Sequence, residues 1–551
     1  MKRYDFDPQP YSDQIAGIIQ EIEKADVWRK NSLQKILVKF PRDGNSIFSR
    51  DQLIIGYKQL IENEGQKLSQ IIMDRLRMKP TRTLSGVAPV TVLTKPFPCP
   101  GKCIFCPDDI RMPKSYLADE PGAQRAKRNR FDPYLQTYNR LRAMSNTGHT
   151  TSKVELIILG GTWSFYPEKY QIWFVKRCFD ALNDFGVRDG RDEMKTTGVE
   201  LVMEGELSDW NELEKAHSVN EDANARCVGL VIETRPDYID KKEILKLRRL
   251  GTTKVQIGIQ SLNDRILRVN KRGHSTAETK NAIRLLRQGG LKIHAHWMPG
   301  LYGSNVEEDI RDYKRLWTKD VRPDELKIYP TSIIANTELF EKYKSGDYKP
   351  YSYDQLLEVL TSTMKLTPRY CRLTRVIRDI PSTDIVAGNK LTNFRQIAEQ
   401  KLMNEDRSCQ CIRCREIRSE KVSESDLILE EIGYRSSVGK EIFISYKTAS
   451  TDKLVGFLRL SLPDSASFID ELSDNAVIRE IHVYGQVVGV GKKRAGKAQH
   501  LGVGRKLLKR AYQLAKAAGR ERISVISAVG TRSYYKKHGF KRGQLYMSRS
   551  I

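Results

Sequence analysis

Three cysteines in one short segment are the residues best placed for metal chemistry. Cys99, Cys103 and Cys106 stand in PFPCPGKCIFCP, a C-x3-C-x2-C spacing directly after the predicted strand Ala88–Leu93. Three thiolates on one loop can hold three irons of a 4Fe–4S cluster and leave the fourth iron without a protein ligand. A zinc site would need a fourth ligand, and the loop contains none. The spacing therefore predicts an iron–sulfur cluster with one open iron.

This spacing resembles the motif of the radical-SAM superfamily, whose open iron binds S-adenosylmethionine (SAM) and whose electron transfer releases a 5′-deoxyadenosyl radical. Two further segments fit the resemblance. Gly160 and Gly161, after the strand VELIIL, match the glycines that let the methionine part of SAM approach a strand end, although most such pairs are only turns. Gln260 and Ser261, in VQIGIQS, match the strand end beside SAM, where ligands of such barrels lie.

A glycine-rich turn near the C-terminus has the features of a phosphate site. The segment Gln499–Gly504 (QHLGVG) fits Q-x-x-G-x-G and precedes a predicted helix, whose N-terminus offers free N–H groups and partial positive charge. The turn resembles the acetyl-CoA site of GNAT acetyltransferases, in which the preceding strand, here Ile478–Tyr484, presents amides to the pantetheine arm. In that family Tyr534 and Tyr535 would lie near the thioester, with Tyr535 favoured as the contact; the alternative is two core aromatics.

A second group of cysteines stands in a charged connector. Cys409, Cys411 and Cys414, in SCQCIRCRE, predict a structural zinc ion between two domains. The fourth ligand is not evident, and Cys371 or a histidine could supply it. The three isolated cysteines are each predicted to be a small buried hydrophobe, and they are Cys178, Cys227 and Cys371.

The pattern of predicted elements gives an α/β multidomain chain with four parts. Residues 1–75 have a basic, mostly helical pattern that suits an RNA-contacting domain, with a solvated surface as the alternative. Residues 76–390 alternate short strands with helices, which predicts a parallel sheet and a partial (β/α) barrel. Residues 391–420 are the cysteine-rich zinc linker. Residues 421–551 contain strands, the glycine turn and a helix, and are predicted to be the GNAT domain.

The charge balance indicates a polyanionic partner. The chain of 551 residues has 94 Lys and Arg against 68 Asp and Glu, a net charge of +26. Such a surplus favours nucleic acid, although a basic proteome or a need for solubility would also explain it. No apolar run reaches the ~20 residues of a membrane span, and the N-terminus has no secretory signal, so a cytoplasmic protein without a membrane partner is expected. Three basic strings either line an RNA path or make structural ion pairs, and they are Arg77–Arg82, Arg125–Arg130 and Arg369–Arg378.

Long stretches of the chain resemble the catalytic subunit of the Elongator complex, a family with stand-alone archaeal and bacterial members. The shared strings include KPTRTLSGVAPVTVLTKP, KVELIILGGTWSFYP, GLVIETRPDYID and REIHVYG. The resemblance implies a tRNA carboxymethyluridine synthase. In the mechanism proposed for that family, the deoxyadenosyl radical takes hydrogen from the acetyl methyl group of acetyl-CoA. The carbon radical adds to carbon 5 of the wobble uridine in the anticodon loop, and thioester hydrolysis leaves a carboxymethyl group.

The resemblance also implies which residues contact acetyl-CoA. Lys153, before the glycine pair, matches a family lysine assigned to acetyl-CoA, although an exposed lysine is usually only solvated. The other implied residues lie on the strand and in the turn, and they are Glu480, Ile481, His482, Val483, Gln499, Gly502, Val503, Gly504 and Arg505.

Two other functions remain open on the sequence alone. A protein lysine acetyltransferase with a structural iron–sulfur domain would need a general base beside the thioester, and Glu480 is a candidate. A non-catalytic RNA-binding scaffold would have no need for the cysteine, glycine and tyrosine motifs that are present. The sequence leaves open the electron donor, the tRNAs used, and whether the protein is a homodimer.

Overall fold

A small helical unit precedes the two sheets of the protein. The computed structural model describes residues 6–44, 46–107, 109–187, 204–418, 420, 422–485 and 502–551. The helices of this unit are α1 (Ser12–Lys24), α2 (Ser32–Leu37), α3 (Arg50–Asn63) and α4 (Gln70–Leu76). Its isoleucines and leucines form a hydrophobic core of their own. Apolar residues at helical spacing continue in the sequence from Leu53 to Leu68, but α3 ends at Asn63, and Gly65 adopts a positive φ of 62° soon after.

Seven of the strands between residues 88 and 387 form one parallel sheet. The strands are β1 (Ala88–Leu93), β2 (Lys153–Leu159), β3 (Arg226–Thr234), β4 (Lys254–Gln260), β5 (Lys292–Trp297), β6 (Glu325–Ile328), β7 (Ile333–Ile334), β8 (Arg372–Arg375) and β9 (Ile385–Ala387). The sheet order is β1-β2-β3-β4-β5-β6-β8, while β7 and β9 form a separate antiparallel pair. Parallel strands that follow in chain order with helical crossovers make a half-barrel, so the predicted partial barrel is confirmed.

Helices connect these strands and pack against the sheet. They are α5 (Pro121–Arg128), α6 (Pro133–Asn146), α7 (Glu168–Asp184), α8 (Trp210–Asn220), α9 (Lys241–Arg249), α10 (Asp264–Val269), α11 (Thr276–Gln288), α12 (Val306–Arg315), α13 (Glu338–Lys344), α14 (Tyr353–Leu366), α15 (Phe394–Asn404) and α16 (Ile412–Arg415). Capping boxes at Asp209, Ser275 and Ser352 begin α8, α11 and α14. Each cap satisfies N–H groups at the helix start and thereby fixes where the preceding loop ends.

The C-terminal part is a second, mixed sheet. Its elements are β10 (Leu427–Arg435), β11 (Gly439–Thr448), β12 (Leu454–Pro463), β13 (Ala476–Val483), α17 (Val503–Ala517), β14 (Arg522–Val525), α18 (Arg532–Lys536), β15 (Lys541–Arg542) and β16 (Met547–Ser550). The strand order is β10-β11-β12-β13-β14-β16-β15, and only β13 and β14 are parallel neighbours. Helix α17 packs on β11, β12 and β13.

The two sheets share one hydrophobic core. Buried residues of both sheets, such as Val255 on β4 and Ile478 on β13, belong to the same cluster. The backbones approach closely at Gly530, where a Cβ would lie 2.5 Å from Arg226 Cβ and 2.9 Å from Cys227 O. The C-terminal domain is therefore packed directly against the half-barrel. Among the helices that the structure describes, none has the length and apolar character of a membrane span.

Candidate active site

The first cysteine cluster lies beyond the carboxyl end of β1. Cys99, Cys103 and Cys106 occupy the loop between β1 and α5 and are partly exposed. Their sulfur atoms do not all lie within 4.8 Å of one another. A single zinc ion with Zn–S bonds of about 2.3 Å would hold thiolates about 3.8 Å apart. The wider spacing suits the larger body of an iron–sulfur cluster, so these residues fit the group expected from the sequence.

Two arginines lie beside these thiols. Arg272 Nη1 donates to Cys103 Sγ at 3.3 Å. Arg235 Nη1 is buried without a hydrogen-bond partner among the described residues, and a Cβ at Gly101 would lie 2.3 Å from it and 3.6 Å from Cys99 Sγ. Guanidinium groups in this position stabilise the negative charge of thiolate ligands. No role was assigned to either arginine from the sequence, although Arg235 stands in the shared string GLVIETRPDYID. Arg272 is 169 residues away from Cys103 along the chain, so motif spacing does not link the two.

The residues expected to contact SAM border the same end of the sheet. Gly160 and Gly161, directly after β2, have φ of 142° and 75°, and a Cβ at Gly160 would lie 1.7 Å from a threonine hydroxyl. Gln260 ends β4 with φ of 61°, and its Oε1 is buried without a partner among the described residues. Ser261 differs, because its hydroxyl donates to Asp312 Oδ2 at 3.0 Å. Gln260 thus has an atom to offer a ligand, whereas the Ser261 hydroxyl is engaged within the protein.

A wedge opens between β13 and β14 in the C-terminal sheet. The two strands pair only over Ala476–Ile478, and no other strand in the described part of the chain pairs with the rest of β13 on that side. The opposite side of β13 stays paired with β12 as far as Val483. Backbone groups that face the wedge can therefore bind an extended ligand arm. The residues expected to contact acetyl-CoA on this open stretch are Glu480, Ile481, His482 and Val483.

The glycine turn lies next to this wedge. Gly502, with φ of 63°, precedes α17, whose first residue is Val503. A Cβ at Gly504 would lie 3.8 Å from Val483 Cγ2, which places the helix N-terminus beside the end of β13. The free N–H groups of this 15-residue helix and the Arg505 side chain suit a pyrophosphate. The turn and the wedge together therefore have the chemistry for both ends of acetyl-CoA.

The two predicted tyrosines lie on α18, across from the turn. Tyr534 Oη is 3.0 Å from the position of a Cβ at Gly504, and burial raises the pKa of Tyr534 to about 12. Tyr535 is buried and packs on Phe540, with ring centroids 5.5 Å apart. Tyr535 is therefore part of the hydrophobic core and also lines the cavity described in the next paragraph. Gln499, the first residue of the predicted motif, lies outside the described residues.

One cavity of about 1390 Å³ is lined by both halves of the protein. The first residues of β2, β3, β4, β5, β6 and β8 line it, as do the last residues of β1 and β2. It therefore runs along the inner face of the half-barrel from the wedge toward the end that carries the cysteines. Its lining from the C-terminal domain includes the β13 residues Glu480–Val483, then Gly502, Gly504, Arg505, Tyr534 and Tyr535.

An ion-pair network joins the two halves at the wedge. Lys292 Nζ lies 2.5 Å from Glu480 Oε1 and 3.2 Å from Glu325 Oε1, while Arg459 Nε donates to Glu480 Oε2 at 2.8 Å. Burial alone would raise the pKa of Glu480, but Lys292 and Arg459 outweigh it and hold the pKa below its usual range. Glu480 is therefore an ionised, fully engaged carboxylate and a weak general base.

Lys153 and His482 are among the basic side chains of the cavity that make no ion pair with the described residues. Lys153 makes no ion pair there, and burial, followed by the nearby Arg226, lowers its pKa. His482 Nε2 is buried without a hydrogen-bond partner, and burial lowers the pKa of this histidine to about 4. Lys153 lies at the start of β2, close to the C-terminal domain, as an acetyl-CoA contact would require.

The second cysteine trio forms a compact group. The sulfurs of Cys409, Cys411 and Cys414 all lie within 4.8 Å of one another, and Cys411 Sγ is 3.7 Å from Cys414 Sγ, the spacing of thiolates on one zinc ion. Glu399 Oε1 lies 3.7 Å from Cys414 Sγ, but within the described part of the chain no fourth His, Cys, Asp or Glu lies within 4.8 Å of all three sulfurs. Cys371, the suggested fourth ligand, is buried nearby, with its carbonyl accepting from Ile412 N at 2.9 Å.

The three basic strings have different surroundings. In the third string Arg369 pairs with Glu430 and Asp452, and Arg378 with Glu120, so these arginines hold the structure together. Arg82 and Arg125, from the other two strings, line the cavity instead. The remaining lining cations of the half-barrel include Arg226, Lys254, Lys292 and Lys327. The lining of the cavity thus has more basic than acidic side chains, although Lys254 and Lys292 are paired with carboxylates.

Three segments of the chain match known protein families. Residues 98–316 match the radical SAM superfamily, residues 323–404 the radical SAM C-terminal domain, and residues 411–540 the acetyltransferase (GNAT) family.

Similar proteins span nearly the whole chain. A tRNA uridine(34) acetyltransferase of Methanocaldococcus infernus is 38% identical over 90% of this chain and 91% of that protein. Elongator complex protein 3 of Drosophila melanogaster is 33% identical over 98% of this chain and 96% of its own length. The solved structure of the archaeal M. infernus Elp3 with an N-terminal deletion superposes with a TM-score of 0.71 at 36% identity, covering 85% of this chain and 99% of that one.

Proposed function

Because this chain belongs to the family of the tRNA uridine(34) acetyltransferases and Elongator complex protein 3, we propose that it modifies the wobble uridine of tRNA, using SAM-derived radical chemistry and acetyl-CoA to form 5-carboxymethyluridine. The observation that carries the proposal is the cavity shared by the two halves. An acetyl-CoA site that opens into the inside of a radical-SAM half-barrel would allow the acetyl group, the radical source and the uridine to meet in one cavity.

The cofactors have these proposed ligands. Cys99, Cys103 and Cys106 would hold a 4Fe–4S cluster, with Arg235 and Arg272 stabilising the thiolate charge. When bound, the cluster and SAM supply a deoxyadenosyl radical able to remove hydrogen from an unactivated methyl group. A radical route is needed because carbon 5 of uridine is not acidic enough for ordinary acyl transfer. The glycine pair and Gln260 would contact SAM at the strand ends.

The C-terminal domain would position acetyl-CoA. The open stretch of β13 would bind the pantetheine arm, and the turn at Gly502–Arg505 would bind the pyrophosphate. Lys153 and Tyr535 would border the thioester, since both line the cavity from opposite halves. Cys409, Cys411 and Cys414 would bind a structural zinc ion that fixes the linker.

The domains would divide the work as the sequence suggests. Residues 1–75 would contact RNA, 76–390 would supply the radical, 391–420 would bind zinc and 421–551 would bind acetyl-CoA. The anticodon loop is single-stranded, so its uridine can leave the stack at low cost and enter the basic cavity. Such a protein would work in the cytoplasm, where its tRNA substrate is.

The rival lysine acetyltransferase is less well supported. Its candidate base, Glu480, is bound by Lys292 and Arg459, which lower its pKa. The cavity that leads away from the wedge follows the inside of the half-barrel. A protein lysine would have to reach into the half-barrel to meet the thioester.

An anaerobic assay tests the proposal. The reconstituted protein is incubated with reductant, SAM, acetyl-CoA and unmodified tRNA, and mass spectrometry quantifies 5′-deoxyadenosine and 5-carboxymethyluridine. We expect both products, and we expect Cys103→Ala to lose both while Cys178→Ala, a buried cysteine outside the site, retains them. Intact SAM together with acetylation of an added protein lysine would replace this proposal with the rival one.

A further inference from the structure

Two side chains inside the half-barrel form a hydrogen-bonding pair that the chemistry above does not use. Gln256, on β4, and Lys327, on β6, both line the shared cavity. Lys327 Nζ donates to Gln256 Oε1, and His296 Nε2 lies 3.0 Å from the same oxygen. The pair lies midway along the strands, between the acetyl-CoA wedge and the end that carries the cysteines.

The contacts fix which way the Gln256 amide faces. An ammonium group can only donate, so the amide atom bound to Lys327 must be the oxygen. The His296 ring, whose pKa burial holds well below its ordinary value, is neutral and donates its Nε2–H to that oxygen. Two donors saturate the two lone pairs of Gln256 Oε1. Its Nε2, which has no hydrogen-bond partner among the described residues, is left to offer N–H groups to the cavity.

Lys327 adds further donors to the same place. Its ammonium group makes no ion pair within the described part of the chain, so N–H groups remain after the bond to Gln256. Two cavity carboxylates, Glu155 on β2 and Glu325 on β6, are bound to Lys254 at 2.7 and 2.9 Å. Glu233, which pairs with Gln256 in the register of β3 and β4, accepts from Tyr116 Oη at 3.1 Å. The groups that Gln256 and Lys327 themselves offer to the cavity are therefore hydrogen-bond donors.

Uracil and cytosine differ in the groups that such a site would distinguish. At carbon 4 uracil carries a carbonyl oxygen, an acceptor, whereas cytosine carries an amino group, a donor. Carbon 4 is bonded to carbon 5, so hydrogen bonds to the carbonyl oxygen would also position carbon 5, the atom that reacts. We propose that Gln256 and Lys327 bind O4 of the flipped wobble uracil, and that this contact selects uridine over cytidine. The inference rests on the proposed function and names the base-reading residues of the same site.

A cycle of paired changes in the enzyme and the tRNA tests this assignment. Gln256→Glu keeps the oxygen that Lys327 and His296 contact but replaces the N–H donors with an acceptor. The tRNA carries either uridine or 4-deoxyuridine, which lacks O4, at the wobble position. We expect each single change to lower kcat/KM for carboxymethylation by about 10- to 100-fold. The two changes together should cost little more than either one, because both remove the same contact.

The controls separate this inference from the proposed function. Gln288→Glu makes the same exchange on α11, away from the cavity, and should behave as wild type. Unchanged acetyl-CoA binding and SAM cleavage would show that Gln256→Glu is folded, and Gln256→Leu repeats the cycle without a new charge. Fully additive losses, or no loss, would overturn the assignment of O4 to this pair. A wild-type enzyme that never modifies uridine-containing tRNA would instead refute the proposed function.

Discussion

Removal of one carboxylate should loosen the acetyl-CoA domain from the half-barrel. Glu221, just after α8, accepts hydrogen bonds from three cations of the C-terminal domain, namely Arg532 at 3.1 Å, Lys536 at 2.9 Å and Arg542 at 3.2 Å. Helix α18, which contains Arg532 and Lys536, also carries the two site tyrosines. The Glu221 contact therefore positions the tyrosines against the cavity.

The solvent exposure of the paired side chains determines how much free energy the substitution of Glu221 costs. The Glu221 and Arg532 side chains are 9% and 11% exposed, and breaking a buried pair typically costs about 3–5 kcal/mol. Lys536 and Arg542 are 51% and 41% exposed, so solvent reduces each contribution to at most about 1 kcal/mol. Glutamine at position 221 keeps the side-chain volume and one acceptor oxygen, so part of this free energy is retained. We therefore expect Glu221→Gln to cost about 2–3 kcal/mol, roughly 30- to 150-fold in the docking equilibrium.

Thermal unfolding and product ratios measure this effect. Glu221→Gln should lower the unfolding midpoint by about 5–10 °C and reduce carboxymethyluridine relative to 5′-deoxyadenosine. Burial alone would raise the pKa of Glu221, but the opposite effect of Lys536 and Arg532 is larger, so the pKa is below its ordinary value. The stabilisation by ionised Glu221 is therefore present at neutral pH and is lost as the pH falls through this lowered pKa. The difference in unfolding midpoint between Glu221→Gln and wild type should therefore become smaller at acidic pH.

A matched variant provides the control. Glu214→Gln lies on α8 as well, but its partner Arg249 is in the same half of the protein and both side chains are nearly half exposed, so its midpoint should shift by less than about 2 °C. Equal midpoints and equal product ratios for Glu221→Gln and wild type would refute the docking role of Glu221.

Three further changes have expected outcomes. Cys411→Ser should lose bound zinc in metal analysis and unfold at a lower temperature, whereas Cys371→Ser should keep its zinc; loss from both variants would identify Cys371 as the fourth ligand. Gly504→Val should weaken acetyl-CoA binding by more than about tenfold in calorimetry, because the new side chain meets Tyr534 Oη, while Gly433→Ala on β10 should bind normally. Affinity for tRNA should fall by orders of magnitude between about 50 and 200 mM salt, and a flat salt response would contradict a phosphate-binding cavity.

The regular strands of both sheets could be predicted from the sequence. The run APVTVL gives β1 with the same limits as in the structure, since buried parallel strands are nearly continuous apolar runs. Strand β8, with the sequence RLTR, was not predicted because it is short and polar, and its pairing with β6 is decided by tertiary contacts. The short strands β14, β15 and β16 were missed for the same reason.

The site could be predicted only where its residues are neighbours in sequence. The cysteine loops and the glycine turn are local motifs with characteristic spacing. The contacts that join the halves are not local, because Lys292 and Glu480 are 188 residues apart and Arg532 is 311 residues from Glu221. Hydrophobic periodicity and motif spacing hold no information about such pairs, so only the folded structure brings them together.

The most direct test of a shared cavity uses acetyl-CoA deuterated in its methyl group. The protein is incubated anaerobically with this substrate, SAM, reductant and tRNA, and the products are analysed by mass spectrometry. If the acetyl methyl group and the radical source meet in one site, deuterium will be found both in 5′-deoxyadenosine and in the carboxymethyl group of the modified uridine. Formation of 5′-deoxyadenosine without deuterium, beside an unmodified uridine, would contradict the account.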